Sequence, residues 1–237
     1  METPSVGSPG EVVQLPREFS TPSEERFIVE RYKALRLRCL QQEPEAFSST
    51  YEDESQFPDE TWVQRVKNPF AKTFVAVRNT AEDKDIFDDG SNLSKLSREW
   101  VGLCVLIGPK PLTPERSDPI DALWAFMQTT ANTNTEPEPK DHSNQPLSYC
   151  TVSMFVSPDQ RGCGFGRKLI DAVIEGGRKD AKELMAPKAY LTIFFEVDNR
   201  LARRLYGKWG FTIEDDINEY PDKNGENRPI GWGWALL

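Results

Sequence analysis

Phe155-Val156-Ser157-Pro158-Asp159-Gln160-Arg161-Gly162-Cys163-Gly164-Phe165-Gly166-Arg167-Lys168-Leu169 carries more information than any other stretch of the chain. It reads as a strand end, a proline turn, a loop with glycine at alternate positions, and the first turn of a helix. Glycine removes the Cβ that would keep an anion away from backbone N–H groups. The helix that follows adds its unpaired N–H groups and the positive end of its dipole, so phosphate is the natural guest. Arg161, Arg167 and Lys168 add side-chain charge. The plainer alternative is a tight strand-to-helix turn with incidental basic residues. The ordered run of Pro, Arg and Gly weighs against it.

Two nucleotide loops are excluded. A P-loop places Lys-Ser or Lys-Thr directly after its glycines, and none stands here. A dinucleotide loop needs Gly-x-Gly-x-x-Gly, whereas Gly162, Gly164 and Gly166 bring the third glycine too early.

The segment resembles the pyrophosphate loop of the GNAT acetyltransferases, whose pattern runs Val-x-Pro-x-x-Arg-Gly-x-Gly-hydrophobic-Gly/Ala-x-x-Leu. Val156, Pro158, Arg161, Gly162, Gly164, Phe165, Gly166 and Leu169 match it without a gap. A second segment is similar to the same family. Leu191 to Asn199 reads as a strand with its exit, and Asn199, Ala202, Leu205, Tyr206, Gly210 and Phe211 match Asn-x-x-Ala-x-x-Leu-Tyr-x-x-x-Gly-Phe. The residues read the same way on their own. Asn199 is an N-cap type, Ala202, Leu205 and Tyr206 share one helix face, and Gly210 suits a helix end.

The resemblance covers residues 11–237 in outline and 150–211 in specific motifs. It implies one α/β domain with a central mixed, mostly antiparallel sheet, splayed between the two motif strands and flanked by helices. It also implies acetyl-CoA as co-substrate and a primary amine of a small molecule, peptide or protein as acceptor. On that model the backbone of Met154, Phe155 and Val156 pairs with the pantetheine arm. Arg161, Gly162, Cys163, Gly164, Phe165, Gly166 and Arg167 surround the pyrophosphate, and Asn199 bonds the arm. Tyr206 stands where the family has its general acid, a suitable role because a phenol of pKa ~10 stays protonated at neutral pH. The family's base carboxylates are absent: their positions hold Phe194 and Cys150. Glu45, Glu52, Glu99, Glu196 and Asp198 are read as surface carboxylates, and a base acting through water, or none, is acceptable. Two alternatives stay open: a catalytically weak acyl-CoA-binding regulatory module, and the same fold with a longer acyl-CoA donor.

Composition bounds the rest. The 237 residues carry 38 acidic against 29 basic side chains, a net charge of −9 that argues against nucleic acid as a partner. Four cysteines at 39, 104, 150 and 163, with His142 as the one histidine, show no metal-ligand spacing, so no metal is expected. The opening Met1-Glu2-Thr3-Pro4 is no signal leader, and no apolar run approaches the ~18 residues of a membrane span. These features predict a cytoplasmic protein with reduced thiols, nuclear entry left open, and say nothing of oligomeric state.

Residues 1–10, rich in Pro, Ser and Gly, are expected to be disordered. The domain starts with a strand over Glu11–Pro16 and a helix over Ser23–Gln42, in which Arg26, Arg31, Lys33, Arg36 and Arg38 read as a solvated face. A second helix is expected over Asp59–Lys67. Strands are expected over Thr73–Val77, Trp100–Ile107, Tyr149–Val156, Thr212–Ile213 and Ile230–Leu236. Polar insertions occupy about 79–98 and 108–146. The second holds an amphipathic island, Ile120–Met127, read as a peripheral helix, with a cap on the acceptor pocket as the alternative. Phe47, Tyr51, Phe57 and Trp62 are either core residues or lining of that pocket.

Overall fold

The computed structural model describes residues 10–79, 91–113, 115, 117–127, 145–221 and 227–237. Strands β1 (Gly10–Gln14), β2 (Ala71–Arg78), β3 (Glu99–Pro111), β4 (Leu147–Val156), β5 (Ala189–Glu196), β6 (Thr212–Ile213), β7 (Ile217–Pro221) and β8 (Asn227–Leu236) join in one sheet. Its order is β1-β2-β3-β4-β5-β8-β6, with β7 also paired to β8. Every pairing is antiparallel except β4 with β5. This is the mixed, mostly antiparallel sheet that the sequence implied.

The sheet is covered on both faces, and the alternation of its apolar residues says how. Along β2, Val75 and Val77 face a cluster with Ile28, Tyr32 and Leu35 of α1 (Pro22–Gln42) and with Trp62 and Val66 of α3 (Asp59–Lys67). Phe74 and Ala76 face the opposite cluster, with Leu169, Ile170 and Val173 of α6 (Phe165–Glu183). Period-two alternation with apolar residues at every position is the mark of a strand buried on both sides. The short helix α2 (Tyr51–Glu54) lies between α1 and α3 in the chain, and α4 (Asn92–Ser97) precedes β3. In the α1–α3 segment, Trp62 is fully buried in the core, with Phe47 and Phe57 packed against that cluster.

Three expectations change. The island forms α5 (Pro119–Met127), but it is no peripheral helix: Ala122 and Leu123 are fully buried. Leu123 packs with Ile230 and Trp232, and Ala122 with Tyr190, while the Ser148 hydroxyl donates to the Ala122 carbonyl at 2.8 Å. Since Leu147, Tyr149, Leu191 and Ile193 face α6, Ser148 and Tyr190 put α5 on the other face, the one α1 covers. Second, the C-terminal region has three strands where two were expected, and α4 falls inside the first polar insertion. Third, the basic residues of α1 are not one solvated face. Arg31 and Arg38 reach in to the carbonyls of Arg98 and Trp100, and Arg36 is 7 % exposed. The tail over residues 1–9, residues 80–90 of the first insertion and residues 114, 116 and 128–144 of the second, with His142 among them, lie outside the described residues.

Arg36 is part of a buried ionic group. Its Nε and Nη2 donate to the two oxygens of Glu54 at 3.1 and 2.8 Å, and Arg65 Nη1 donates to Glu54 Oε2 at 2.6 Å. Burial would raise the Glu54 carboxyl, but hydrogen bonds and charge from both arginines outweigh it and hold the group down at about 2. A carboxylate depressed in this way contributes stability that is present above its unfolded value of ~4.3 and is lost as pH falls through the folded value. Glu54→Gln should therefore lower stability by about 3–5 kcal/mol at pH 7. Urea unfolding at pH 7 and pH 3 should show the difference from wild type shrinking in acid; a constant difference would remove Glu54 from the ionic group.

Candidate functional site

β4 and β5 run parallel and pair from Leu147↔Ala189 to Thr151↔Ile193, and then part. Both strands continue. β4 stays paired to β3 as far as Val156↔Gly102, and β5 stays paired to β8 as far as Glu196↔Ile230. Each strand is satisfied on its outer side, so the inner backbone edges of Val152–Val156 and Phe194–Glu196 face a fork in the sheet. Met154, Phe155 and Val156 lie on the β4 side of it. Two hydroxyls flank this stretch of β4, Thr151 Oγ1 and Ser157 Oγ, and both are buried without a hydrogen-bond partner.

At the mouth of the fork the chain turns through a short 3-10 turn (Pro158–Gln160) into the glycine loop and α6. Gly162 and Gly164 take φ of 80° and 86°, the left-handed region that glycine enters without steric cost. A Cβ on either would meet no atom within 4 Å, so the loop backbone is open to a guest. α6 starts at Phe165 with Gly164 as its N-cap, and no side chain caps it. Its first-turn N–H groups are therefore uncovered. Phe165 presents only its backbone here, because its ring is buried in the core. Cys163 is an exposed free thiol.

The three cations of the loop are all engaged within the protein. Arg161 donates through Nη2 to Glu43 at 2.6 Å and through Nε to the Val156 carbonyl at 3.2 Å. Arg167 pairs with Asp171 one turn along α6. Lys168 is tied to the Gly10 carbonyl of β1. Of these, Arg161 and Arg167 are solvent-accessible enough to meet an anion while keeping their partners, and Lys168 is half-buried.

The other side of the fork is built by α7 (Arg200–Lys208). Asn199 caps it: the side-chain oxygen accepts from the Ala202 N–H at 2.9 Å. The helix ends at Gly210, φ 97°, with the Phe211 N–H bonded to the Tyr206 carbonyl and the Gly210 N–H bonded to the Gly207 carbonyl. Those two bonds make a Schellman motif, and its usual apolar contact is the Tyr206–Phe211 ring pair, 5.5 Å between centroids. Tyr206 is further fixed by stacking on Phe195 at 6.0 Å and by the edge of Trp209 at 5.7 Å. Burial, with the fields of the Cys104 and Cys150 thiols, pushes its hydroxyl well above the ordinary phenol range. The same helix that ends on a glycine thus immobilises the tyrosine.

A family profile described as "Acetyltransferase (GNAT) domain" matches residues 131–213, which contain β4, the glycine loop, α6, β5, α7 and β6. Over these residues the chain is similar to a GNAT domain. Among solved structures, NAA60 of Arabidopsis thaliana in complex with a bisubstrate analogue is similar at 14 % identity. That alignment covers 95 % of this chain and 99 % of that one with a TM-score of 0.50. NAA60 in complex with acetyl-CoA aligns at 15 % identity over 95 % and 98 % of the two chains, TM-score 0.48. The yncA protein of Salmonella typhimurium, a putative acetyltransferase with acetyl-CoA, aligns at 14 % over 96 % and 94 %, TM-score 0.47. No curated protein matches.

The two positions that the resemblance compared with base carboxylates, Phe194 and Cys150, hold no acid here. Phe194 packs with Trp232 and Trp234 beneath α5, and burial pushes the Cys150 thiol up to about 12. Among the described residues no group of three or more His, Cys, Asp or Glu could hold a metal, and no helix is long and apolar enough to cross a membrane. The motif reading missed Arg36, Glu54 and Ser153, which meet beside the fork. One signal was available: Arg36 falls four residues after Tyr32 and four before Leu40, on the buried stripe of α1. Asn199→Ala should cost about 1 kcal/mol of stability, the usual loss for an N-cap, readable by thermal unfolding; an unchanged midpoint would mean that the cap is dispensable.

Proposed function

We propose that the protein is an acetyl-CoA-dependent N-acetyltransferase acting on a primary amine of a small molecule, peptide or protein. The observation that carries this reading is the fork between β4 and β5 with an open, glycine-lined helix N-terminus at its mouth. A strand edge suits an amide-bearing arm such as pantetheine, which can bond it as an added strand would. An uncapped helix N-terminus suits a diphosphate. The residues fit both parts. The edge of Met154, Phe155 and Val156 would take the arm, and Gly162, Cys163, Gly164 and the N–H groups of Phe165, Gly166 and Arg167 would take the diphosphate, with Arg161 beside it. Asn199 has used its side-chain oxygen for its cap, so its amide N–H groups would be the ones offered to the arm.

The donor supplies an acetyl thioester. The amine nitrogen forms a bond to the acetyl carbon, the carbon–sulfur bond breaks, the nitrogen loses a proton and the leaving thiolate takes one. Tyr206 is the residue we assign to that last proton. Burial raises its hydroxyl above the ordinary phenol range, so it is protonated at neutral pH, and its ring is held on three sides. No carboxylate is assigned to the first proton, so deprotonation would pass to water or occur before binding. The lack of an acidic residue at Phe194 and Cys150 favours a second reading, a module that binds acyl-CoA and turns it over weakly. A longer acyl donor is a variant of the first.

Calorimetric titration with CoA should give saturable binding to the wild type. Gly164→Glu, which puts a side chain and a negative charge into the loop, should abolish it while the protein stays folded. Wild type that takes up no CoA would end the proposal. Given binding, release of free thiol from acetyl-CoA with an amine panel separates the enzyme from the weakly active module. Tyr206→Phe keeps the ring contacts and removes the proton; turnover should fall roughly 100-fold with donor affinity nearly unchanged. Equal rates would take Tyr206 out of the mechanism.

A further inference from the structure

One charged side chain sits in the buried stripe of α1, and its third donor goes to the fork. Arg36 spends Nε and Nη2 on Glu54, and Nη1 donates to Ser153 Oγ at 3.3 Å. Ser153 lies two residues past the last β4–β5 pair, Thr151↔Ile193. It is also one of two non-glycine residues among those described with positive φ, at 57°. The register there shifts. From Leu103 to Val105, β3 advances two residues while β4 goes from Phe155 to Val152, three residues, so β4 carries one extra residue. Such a bulge bends the strand that contains it. Here the bend begins where β5 is left behind.

A left-handed backbone at a residue with a Cβ costs about 1–2 kcal/mol, and it persists only where surrounding contacts over-determine it. β5 has already departed on one side, and the Ser153 side chain is held from α1, by the Arg36 donor. A buried ion pair by itself adds little over well-packed apolar residues. Arg36 differs from such residues in having a donor left for the bulge after its own position is set. That position is set firmly: Glu54 is clamped by Arg65 as well, and the Phe47 ring lies against the Arg36 guanidinium at 4.9 Å.

We propose that Arg36 is a positioning residue that fixes the β4 bulge, and with it the line of the Met154–Val156 edge that forms one wall of the fork. The inference rests on the reading of that fork as the donor groove. One guanidinium then ties Phe47 and Glu54, in the connection between α1 and α3, to the strand that lines the groove. The groove is shaped before any ligand arrives, and the cost of shaping it is met in folding.

Ser153→Ala isolates the link. It removes the acceptor, keeps a Cβ at the same φ, and leaves Arg36, Glu54 and Arg65 paired. We expect an unfolding midpoint close to wild type, CoA affinity roughly tenfold weaker by calorimetry, and faster amide exchange over residues 152–156. Acceptor KM should not move. Ser153→Asn, which tolerates the left-handed region and carries an acceptor, should recover most of the affinity and the protection. If the alanine variant does not fold, Ser153→Gly, which accepts this φ freely, is measured in its place. Wild-type affinity and exchange in the hydroxyl-less variant would overturn the proposal, and so would damage that asparagine leaves uncorrected. If wild-type protein binds no CoA, the functional reading falls, while exchange over residues 152–156 still decides whether Arg36 holds the bulge.

Discussion

Backbone pairing between β4 and β5 lasts from Leu147↔Ala189 to Thr151↔Ile193 and no further, although both strands go on. A buried N–H or C=O without a partner is costly, so a sheet normally closes such an opening. Here it cannot close, because each strand is already committed elsewhere. β3 holds β4, β8 holds β5, and α7 packs Tyr206 on Phe195 at the β5 side. An internal edge of this kind escapes the aggregation hazard of an outer edge strand. It is open only to something narrow enough to enter the fork.

What keeps the fork in shape is packing on both faces. α6 runs under β1 to β5, while α1, α3 and α5 cover the other face. The two halves of the opening are therefore held by different parts of the core. On the β4 side the bulge at Ser153 is fixed from α1 through Arg36. On the β5 side the Schellman end of α7 fixes Tyr206. The glycine loop lies between them and is braced by Arg161, which links the Val156 carbonyl to Glu43 just past the end of α1.

Legibility in the sequence followed the range of the interaction. Pro158, Gly162, Gly164 and Gly210 announce turns and caps because the φ they allow is a local property, and Asn199 announces a cap for the same reason. The helix over Asp59–Lys67 and the strand at Thr212–Ile213 were read with their observed bounds. Arg36 was misread because charge on a helix is usually solvated, and its partner Glu54 stands 18 residues away on a helix of 4 residues. α5 was misread as peripheral because its neighbours Ile230, Trp232 and Tyr190 come from strands more than 60 residues further along the chain. α4 and β7 lie in polar segments where periodicity is weak.

From its residues alone the chain specified the turn chemistry, the two motif segments and hence the resemblance to a GNAT domain. These are determined locally, by which φ a residue accepts and which backbone donors its neighbours leave free. Tertiary structure decided where β4 and β5 separate, that a buried arginine reaches the bulge, and that Phe194 lies in an aromatic cluster under α5. Those outcomes depend on long-range pairing and on which side chains meet across the sheet. No local propensity encodes them, because the free energy of burying a charge or opening a sheet is set by partners that only the folded chain brings together.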